Sequence, residues 1–118
     1  MRDTQKKGDI GVTQAIATFT KLGYDVSLPI TESAAYDLIV DTGKNLKRVQ
    51  VRYTSNANGE VDLRRIHSNS NGYVIKKLQV KSYDWLYVLR SNGNEYLIKQ
   101  CSLGRRSIRP SNNQLLNK

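Results

Sequence analysis

The chain has 118 residues and a mass of 13.4 kDa, which suits one compact domain and is too short for two. Lys and Arg number 19 against 10 Asp and Glu, so the net charge is +9 and the isoelectric point is about 9.9. One Cys excludes an internal disulfide and a cysteine-built zinc site, and one His argues against a zinc enzyme. No apolar run approaches the roughly 20 residues that span a bilayer, and residues 1–7 are polar. We therefore expect a cytoplasmic protein with no membrane association.

The positive charge lies almost entirely in the second part of the chain. Residues 1–40 contain four bases and five acids, whereas residues 41–118 contain fifteen bases and five acids. A field this uneven attracts polyanions, and nucleic acid is the commonest of them because neutralised phosphates release counterions. The charge alone leaves open a solvated basic surface that has no partner.

The apolar pattern predicts one helix followed by strands. Residues 10–22 repeat apolar side chains at helical spacing, and Gly23 ends that helix. Later segments alternate or form short apolar runs between turn residues, as strands do. The predicted strands cover residues 24–28, 36–40, 46–53, 61–66, 85–89 and 95–98, and the last two form a hairpin. This order predicts an α+β domain whose mixed central sheet packs on an N-terminal helix.

We predict a single domain over residues 1–118, with a core of about residues 6–100. Residues 67–73 are rich in Ser, Asn and Gly and are predicted to form a flexible excursion. Residues 101–118 form either a basic tail or a short closing element. Three aromatic residues with period two are predicted to pack in the core on one strand face: Tyr83, Trp85 and Tyr87.

Three polar side chains on two successive predicted strands form a candidate site. Asp37 opens a buried strand, and Gln50 and Arg52 share one face of the next strand. A tight turn between the strands would bring the three side chains together. A carboxylate and an amide oxygen can hold Mg²⁺, with a cation beside the phosphate. The alternative is a turn-capping Asp and an ordinary polar strand face.

Longer stretches of the chain resemble a known family, in the same order over about residues 6–100. These stretches read KGDIG, GYDV, YDLIV, RVQVR, NSNG and YDWLYV, and the NG of the hairpin follows. The chain resembles the PD-(D/E)XK nucleases. Within them it is most similar to the branch that includes group I intron-encoded homing endonucleases, with archaeal Holliday-junction resolvases as more distant relatives.

The resemblance implies a restriction-endonuclease-like core that binds double-stranded DNA and cleaves phosphodiester bonds with Mg²⁺ or Mn²⁺. Asp37 matches the metal-binding Asp of the motif, and Gln50 stands where the homing branch carries Gln. Arg52 stands at the position of the motif's Lys. The implied catalytic residues are Asp37, Gln50 and Arg52, with Asp37, Gln50 and Asp9 as metal ligands. Because a duplex has two strands to cut, we expect a homodimer or a higher homo-oligomer.

Two positions depart from the family pattern. Relatives usually carry a Glu on the N-terminal helix where this chain has Val12, which fits the apolar stripe. Asp9, one turn earlier, is either a substitute ligand or a charge stabilised at the helix N-terminus. Arg52 keeps a positive charge but does not deprotonate, so it is a poor proton-transfer group. The alternative function is therefore a catalytically impaired DNA-binding module on the same scaffold.

Several basic and polar residues are predicted to contact DNA, because Arg, Lys and Asn bind phosphates and base edges. They are Arg48, Arg64, Arg65, Asn69, Lys76 and Lys77. A third interpretation, a small basic RNA-binding or ribosome-associated protein, explains the charge but not the three-residue site.

Overall fold

The computed structural model describes residues 3–63, 83–101 and 106–117. These ranges form one α-helix, seven strands and a short 3-10 helix. In chain order they are α1 (Asp3–Lys21), β1 (Asp25–Ser27), β2 (Leu38–Asp41), β3 (Leu46–Thr54), β4 (Val61–Asp62), β5 (Trp85–Arg90), β6 (Glu95–Ile98), β7 (Ser107–Ile108) and the 3-10 helix Asn112–Gln114.

Five strands form a mixed sheet in the order β1-β2-β3-β5-β6. The pair β3–β5 is parallel and the other three pairs are antiparallel. A second, two-stranded sheet pairs β4 with β7. The helix packs on one face of the five-stranded sheet, so the predicted α+β architecture, a mixed sheet packed on an N-terminal helix, is confirmed.

The helix α1 begins at Asp3, well before the predicted start at residue 10. The segment before Ile10 carries no apolar stripe, so periodicity could not detect it, although Gln and Lys are good helix formers. Asp9 therefore lies inside the helix, and the prediction that it is an N-terminal helix charge is wrong. The helix ends as predicted at Gly23, whose φ of +92° suits glycine.

The two faces of the large sheet carry separate apolar clusters. One cluster joins Ala15 and Phe19 of α1 to Val49 and Val51 of β3. Its aromatic members also include Trp85 and Tyr87, which confirms their core role. The second cluster covers the opposite face and contains Val61, Tyr83, Leu86, Val88, Tyr96 and Ile98. Tyr83 is thus buried on the other face, because it precedes β5 and does not follow the alternation of that strand.

The C-terminal residues close one edge of the sheet. Leu115 forms a bridge with Tyr96, and Leu116 N–H donates to Glu95 O at 2.7 Å. This packing favours the closing element over a loose tail for residues 106–117. The predicted strand over residues 61–66 is described only as Val61–Asp62 and the following residue, and the predicted excursion at 67–73 lies outside the described residues.

Within the described ranges, no helix combines the length and the apolar content that crossing a membrane requires.

Candidate active site

The candidate site forms at the N-terminal end of β2, where β3 extends beyond its pairing with β2. The antiparallel pairing runs from Asp41↔Leu46 to Leu38↔Val49, and the last backbone bond joins Asp37 N–H to Val49 O at 2.8 Å. On its other edge, β3 pairs with β5 from Val49 to Thr54. In the described part of the chain, no strand continues the pairing of β3 on the β2 side. The backbone of Val51 is therefore open to side chains there.

Asp37 and Gln50 are in direct contact at this point. Oδ2 of Asp37 accepts hydrogen bonds from Gln50 Nε2 at 2.7 Å and from Val51 N–H at 2.8 Å. The Asp37 side chain thus replaces the missing strand and fixes the Gln50 amide with its nitrogen toward the carboxylate. The structure brings together Asp37 and Gln50, two of the three residues that the resemblance implied as metal ligands.

Each of these side chains retains one oxygen without a hydrogen bond to the described residues: Oδ1 of Asp37 and Oε1 of Gln50. Gln50 is buried, with 6% of its surface exposed. Among the described residues, no enclosed side-chain polar atom lacks a partner. The Oε1 atom of Gln50 therefore reaches solvent, and a pair of oxygens of different charge is available to a ligand.

Arg52 lies beside the Asp37–Gln50 pair, because its side chain and that of Asp37 both bond to the backbone of Val51. Its Nη1 donates to Val51 O at 3.1 Å, so Asp37 and Arg52 bond to the N–H and the carbonyl of Val51 at the edge of β3 that extends past β2. No ion pair joins Arg52 to an acid within the described ranges. A guanidinium has five N–H donors, and most of those of Arg52 remain for an anion.

Arg48 stands first in the row of alternate β3 residues that continues with Gln50 and Arg52. Its Nε lies 3.2 Å from Asp84 Oδ2 and its Nη2 lies 3.4 Å from Asp84 Oδ1. The backbone groups of the two residues also bond, since Asp84 N–H donates to Arg48 O at 2.8 Å. The guanidinium of Arg48 is thus already held by a carboxylate, and its contact with DNA stays a prediction.

The helix α1 lies on the opposite side of the sheet from Gln50 and Arg52. Val49 and Val51 pack against it, and the alternate residues of β3 project from the other face. Val12 packs against the helix-side cluster, as its apolar character predicted. Asp9 is exposed, and no described contact joins it to Asp37 or Gln50. Its role as a metal ligand stays a prediction.

Five of the predicted DNA contacts lie outside the described residues: Arg64, Arg65, Asn69, Lys76 and Lys77. Two contributors near the site were missed by the sequence analysis. The backbone of Val51 carries no side-chain signal, and the role of Asp84 depends on the parallel pairing of β3 with β5. The opposite charges of Arg48 and Asp84 could have suggested an ion pair only once the pairing of β3 with β5 was known.

A family model described as PD-(D/E)XK endonuclease matches residues 2–98. The match covers most of the chain, including the whole candidate site. The chain belongs to the PD-(D/E)XK endonuclease family. Family membership supports a nuclease, in agreement with the resemblance of the sequence motifs.

A solved structure gives independent support for the fold of this PD-(D/E)XK chain. The bacterial homing endonuclease I-Ssp6803I matches with a TM-score of 0.71 and 23% sequence identity, over 98% of this chain and 88% of the other. At this identity the likeness shows the shared fold. No curated protein matched the sequence.

The PD-(D/E)XK nucleases generally use divalent metal ions, and the residues present fit such an ion. The described residues contain no group of three or more His, Cys, Asp or Glu side chains suited to a metal. The available donors are one carboxylate oxygen of Asp37 and one amide oxygen of Gln50. Mg²⁺ prefers oxygen ligands and keeps several waters when it binds to one or two protein groups. A sparse, oxygen-only donor set therefore suits Mg²⁺ or Mn²⁺ better than zinc.

Proposed function

We propose that this protein is a metal-dependent endonuclease that hydrolyses phosphodiester bonds in double-stranded DNA. The observation that carries the proposal is the contact between Asp37, which directly precedes β2, and Gln50 of β3. Each side chain keeps one oxygen without a hydrogen bond to the described residues. The name of the solved relative, a homing endonuclease, agrees with a DNA substrate. The net charge of +9 agrees with a polyanionic partner.

In this mechanism the free oxygens of Asp37 and Gln50 would hold Mg²⁺ or Mn²⁺. The bound ion would polarise a phosphate oxygen and lower the pKa of a bound water. The Val51 N–H and the Gln50 amide nitrogen orient the Asp37 carboxylate through Oδ2 and leave Oδ1 as the oxygen that would bind the ion. The Arg52 guanidinium donates to phosphate oxygens and stabilises the negative charge that develops on them. It stays protonated, so it binds the phosphate and does not remove a proton.

Cleavage of both strands of a duplex needs two copies of the site. We therefore include a homodimer or a higher homo-oligomer in the proposal, because symmetric assembly places two identical sites on one DNA.

The second candidate function is a catalytically impaired DNA-binding module. It is favoured by Val12, which packs against the helix-side cluster at the position where the resemblance implies a Glu, and by Arg52 in place of Lys. Both changes reduce the groups that could move protons or hold a second ion, while neither removes a basic surface.

The experiment that separates these functions measures nicking of supercoiled plasmid with Mg²⁺ or Mn²⁺, together with a gel shift of duplex DNA. The variants are Asp37→Ala and, as a matched control, Asp25→Ala, which removes an exposed acid from the outer strand β1. Nicking that requires the metal, survives in the control and disappears in Asp37→Ala supports the endonuclease. A duplex shift without nicking by any of the three proteins supports the binding module. An absence of both contradicts the two proposals.

A further inference from the structure

A groove of about 400 Å³ lies beside the candidate active site. One wall is formed by Lys7 and Gly8 of α1. The other wall is formed by β3 residues 51–54 and the two residues that follow, with Asp62 of β4 at one end. We call it the α1–β3 groove. It is continuous with the site because Arg52 belongs to both.

Two cations line the groove, Lys7 from the helix and Arg52 from the strand. The two elements approach closely because Gly11 has no side chain: a Cβ there would lie 3.1 Å from Val51 Cγ1. At Gly8 a Cβ would meet nothing within 4 Å, so the space next to Lys7 is open.

Several of the other polar groups of the groove are already engaged. Thr54 Oγ1 donates to Glu60 O at 2.6 Å, and Asn56 Nδ2 donates to the same oxygen at 2.7 Å. Asp62, the acid at the end of the groove, has an interaction of its own. By contrast, no described residue forms a hydrogen bond or an ion pair with the ammonium of Lys7. The charge of this part of the groove is therefore unneutralised and positive.

We infer that Lys7 is a phosphate-positioning residue, whose ammonium binds a backbone phosphate of duplex DNA in the α1–β3 groove. This phosphate is next to the one that Arg52 and the Asp37–Gln50 pair act on. The inference rests on the proposed function, since it assigns the path of the DNA strand past the site. Lysine acts here as a point charge on a flexible stem, which suits backbone contact and carries no sequence preference.

The preceding residue offers a matched control. Lys6 is also exposed, but it lines a separate depression with Asp9, Ile10 and Thr13. Lys6→Gln and Lys7→Gln therefore remove the same charge from adjacent positions of one helix. They differ in whether the charge faces the α1–β3 groove.

The test measures the affinity of each variant for a short synthetic DNA duplex in EDTA, across a range of salt concentrations. Each phosphate contact contributes about 0.9 to the slope of log affinity against log salt. We expect Lys7→Gln to reduce this slope by about 0.9 and the affinity about eightfold at 0.1 M salt, as the same relation gives. Lys6→Gln should change both much less, and Lys7→Arg should restore the slope. Thermal unfolding of both Gln variants should match the wild type, because both side chains are exposed.

Equal effects of Lys6→Gln and Lys7→Gln would overturn the inference, because they would show a general loss of charge. If the wild type also binds and nicks DNA in that case, the proposed function stands and only the role of Lys7 fails. If the wild type does not bind duplex DNA at any salt concentration, the role of Lys7 and the proposed function both fail.

Discussion

At the scale of single residues, the amide at position 50 determines how the site is held together before any metal binds. Gln50 donates a hydrogen bond to Asp37 at 2.7 Å. A Glu in its place would face the Asp37 carboxylate with a like charge, and only a cation or a shared proton could relieve the repulsion. With Gln at position 50 the site is therefore preformed without a metal, but it has one negative charge fewer than it would have with Glu.

We predict that Gln50→Glu makes the stability of the protein depend on metal. In EDTA at neutral pH, its free energy of unfolding should fall by about 1–3 kcal/mol, because the Asp37 oxygen loses its donor. Added Mg²⁺ should recover this loss and raise the melting temperature of the variant more than that of the wild type. Thermal unfolding with and without Mg²⁺ provides the measurement. A variant that melts like the wild type in EDTA would contradict the preformed pair.

The motif residues were predictable from sequence because they lie close together along the chain, and a short turn makes their two segments neighbours in the sheet. Asp37 directly precedes β2, Gln50 and Arg52 lie on β3 after a short turn, and the structure places all three around Val51. The surroundings were not predictable in the same way. The carboxylate partner of Arg48 is 36 residues away in sequence, and only the tertiary pairing of β3 with β5 brings it near.

At the scale of elements, the contact of α1 with β3 depends on the absence of a side chain at Gly11. A Cβ there would lie 3.1 Å from Val51 Cγ1, whereas a Cβ at Gly8 would have no close neighbour. Both glycines lie inside the helix, where glycine is unfavourable by about 0.5–1 kcal/mol relative to alanine. The two glycines therefore differ in whether an added Cβ would contact the strand: at Gly11 it would, and at Gly8 it would not.

We predict that Gly8→Ala raises the free energy of unfolding by about 0.5–1 kcal/mol. Gly11→Ala should lower it by about 1 kcal/mol, because overpacking exceeds the gain in helix propensity. In a Val51→Ala background, the Gly11→Ala change should become stabilising. Denaturant unfolding of this double-mutant cycle measures the coupling. Additive effects at positions 11 and 51 would show that the helix does not rest on Val51.

A buried hydrogen-bond network joins the helix and the C-terminal residues to the β5–β6 hairpin. Glu95 is 6% exposed and accepts a hydrogen bond from Tyr87 OH at 2.6 Å and another from Thr18 Oγ1 of α1. Its backbone N–H donates to Asn117 Oδ1 at 2.7 Å. Burial of the phenol, followed by its hydrogen bond to the Glu95 carboxylate, raises the pKa of Tyr87 above its ordinary value of 10.0.

This pKa shift predicts a loss of stability at alkaline pH. Below about pH 10 the phenol is protonated in both the folded and the unfolded chain, so its contribution is fully present. Above that pH only the unfolded chain releases the proton, and stability falls by up to about 1.4 kcal/mol per pH unit. Denaturant unfolding at several alkaline pH values measures the slope. The Tyr87→Phe control should lose less stability over this range, and an equal slope would contradict the assignment.

The elements themselves were predictable to different degrees. Strand β6 and the hairpin turn were predicted well, because alternation and the Asn-Gly pair are local signals. The first turns of α1 were missed because their polar residues show no periodicity. The position of Tyr83 was misassigned because period two applies only within a strand, and Tyr83 precedes Trp85, where β5 begins.

At the scale of the whole molecule, the sequence indicated the fold class but not the path of the chain through the sheet. The parallel pairing of β3 with β5 places the hairpin β5–β6 beside the site. Parallel neighbours require a long connection between them, and no local pattern specifies which strand returns. The +9 charge also acts at this scale: it predicts a polyanionic partner without reference to the path of the chain, and that partner stays a prediction.

We predict that the protein acts as a homodimer or a higher homo-oligomer on DNA, because two strands need two sites. Light scattering of the protein alone and with a short duplex should give a mass of at least two chains in the complex. Dependence on protein concentration would separate assembly in solution from assembly on DNA. A monomer under both conditions would contradict the predicted assembly while leaving single-strand nicking possible.

The most direct test of the metal-binding role of Asp37 and Gln50 is the dependence of DNA cleavage on Mg²⁺ concentration. The initial rate of plasmid nicking would be measured for the wild type and for Asp37→Asn, which keeps the size of the side chain and removes its charge. We predict a saturable rise with Mg²⁺ for the wild type and a rate at the level of the protein-free control for Asp37→Asn. Cleavage by Asp37→Asn with the rate and Mg²⁺ dependence of the wild type would show that the metal is held elsewhere, and would contradict the account.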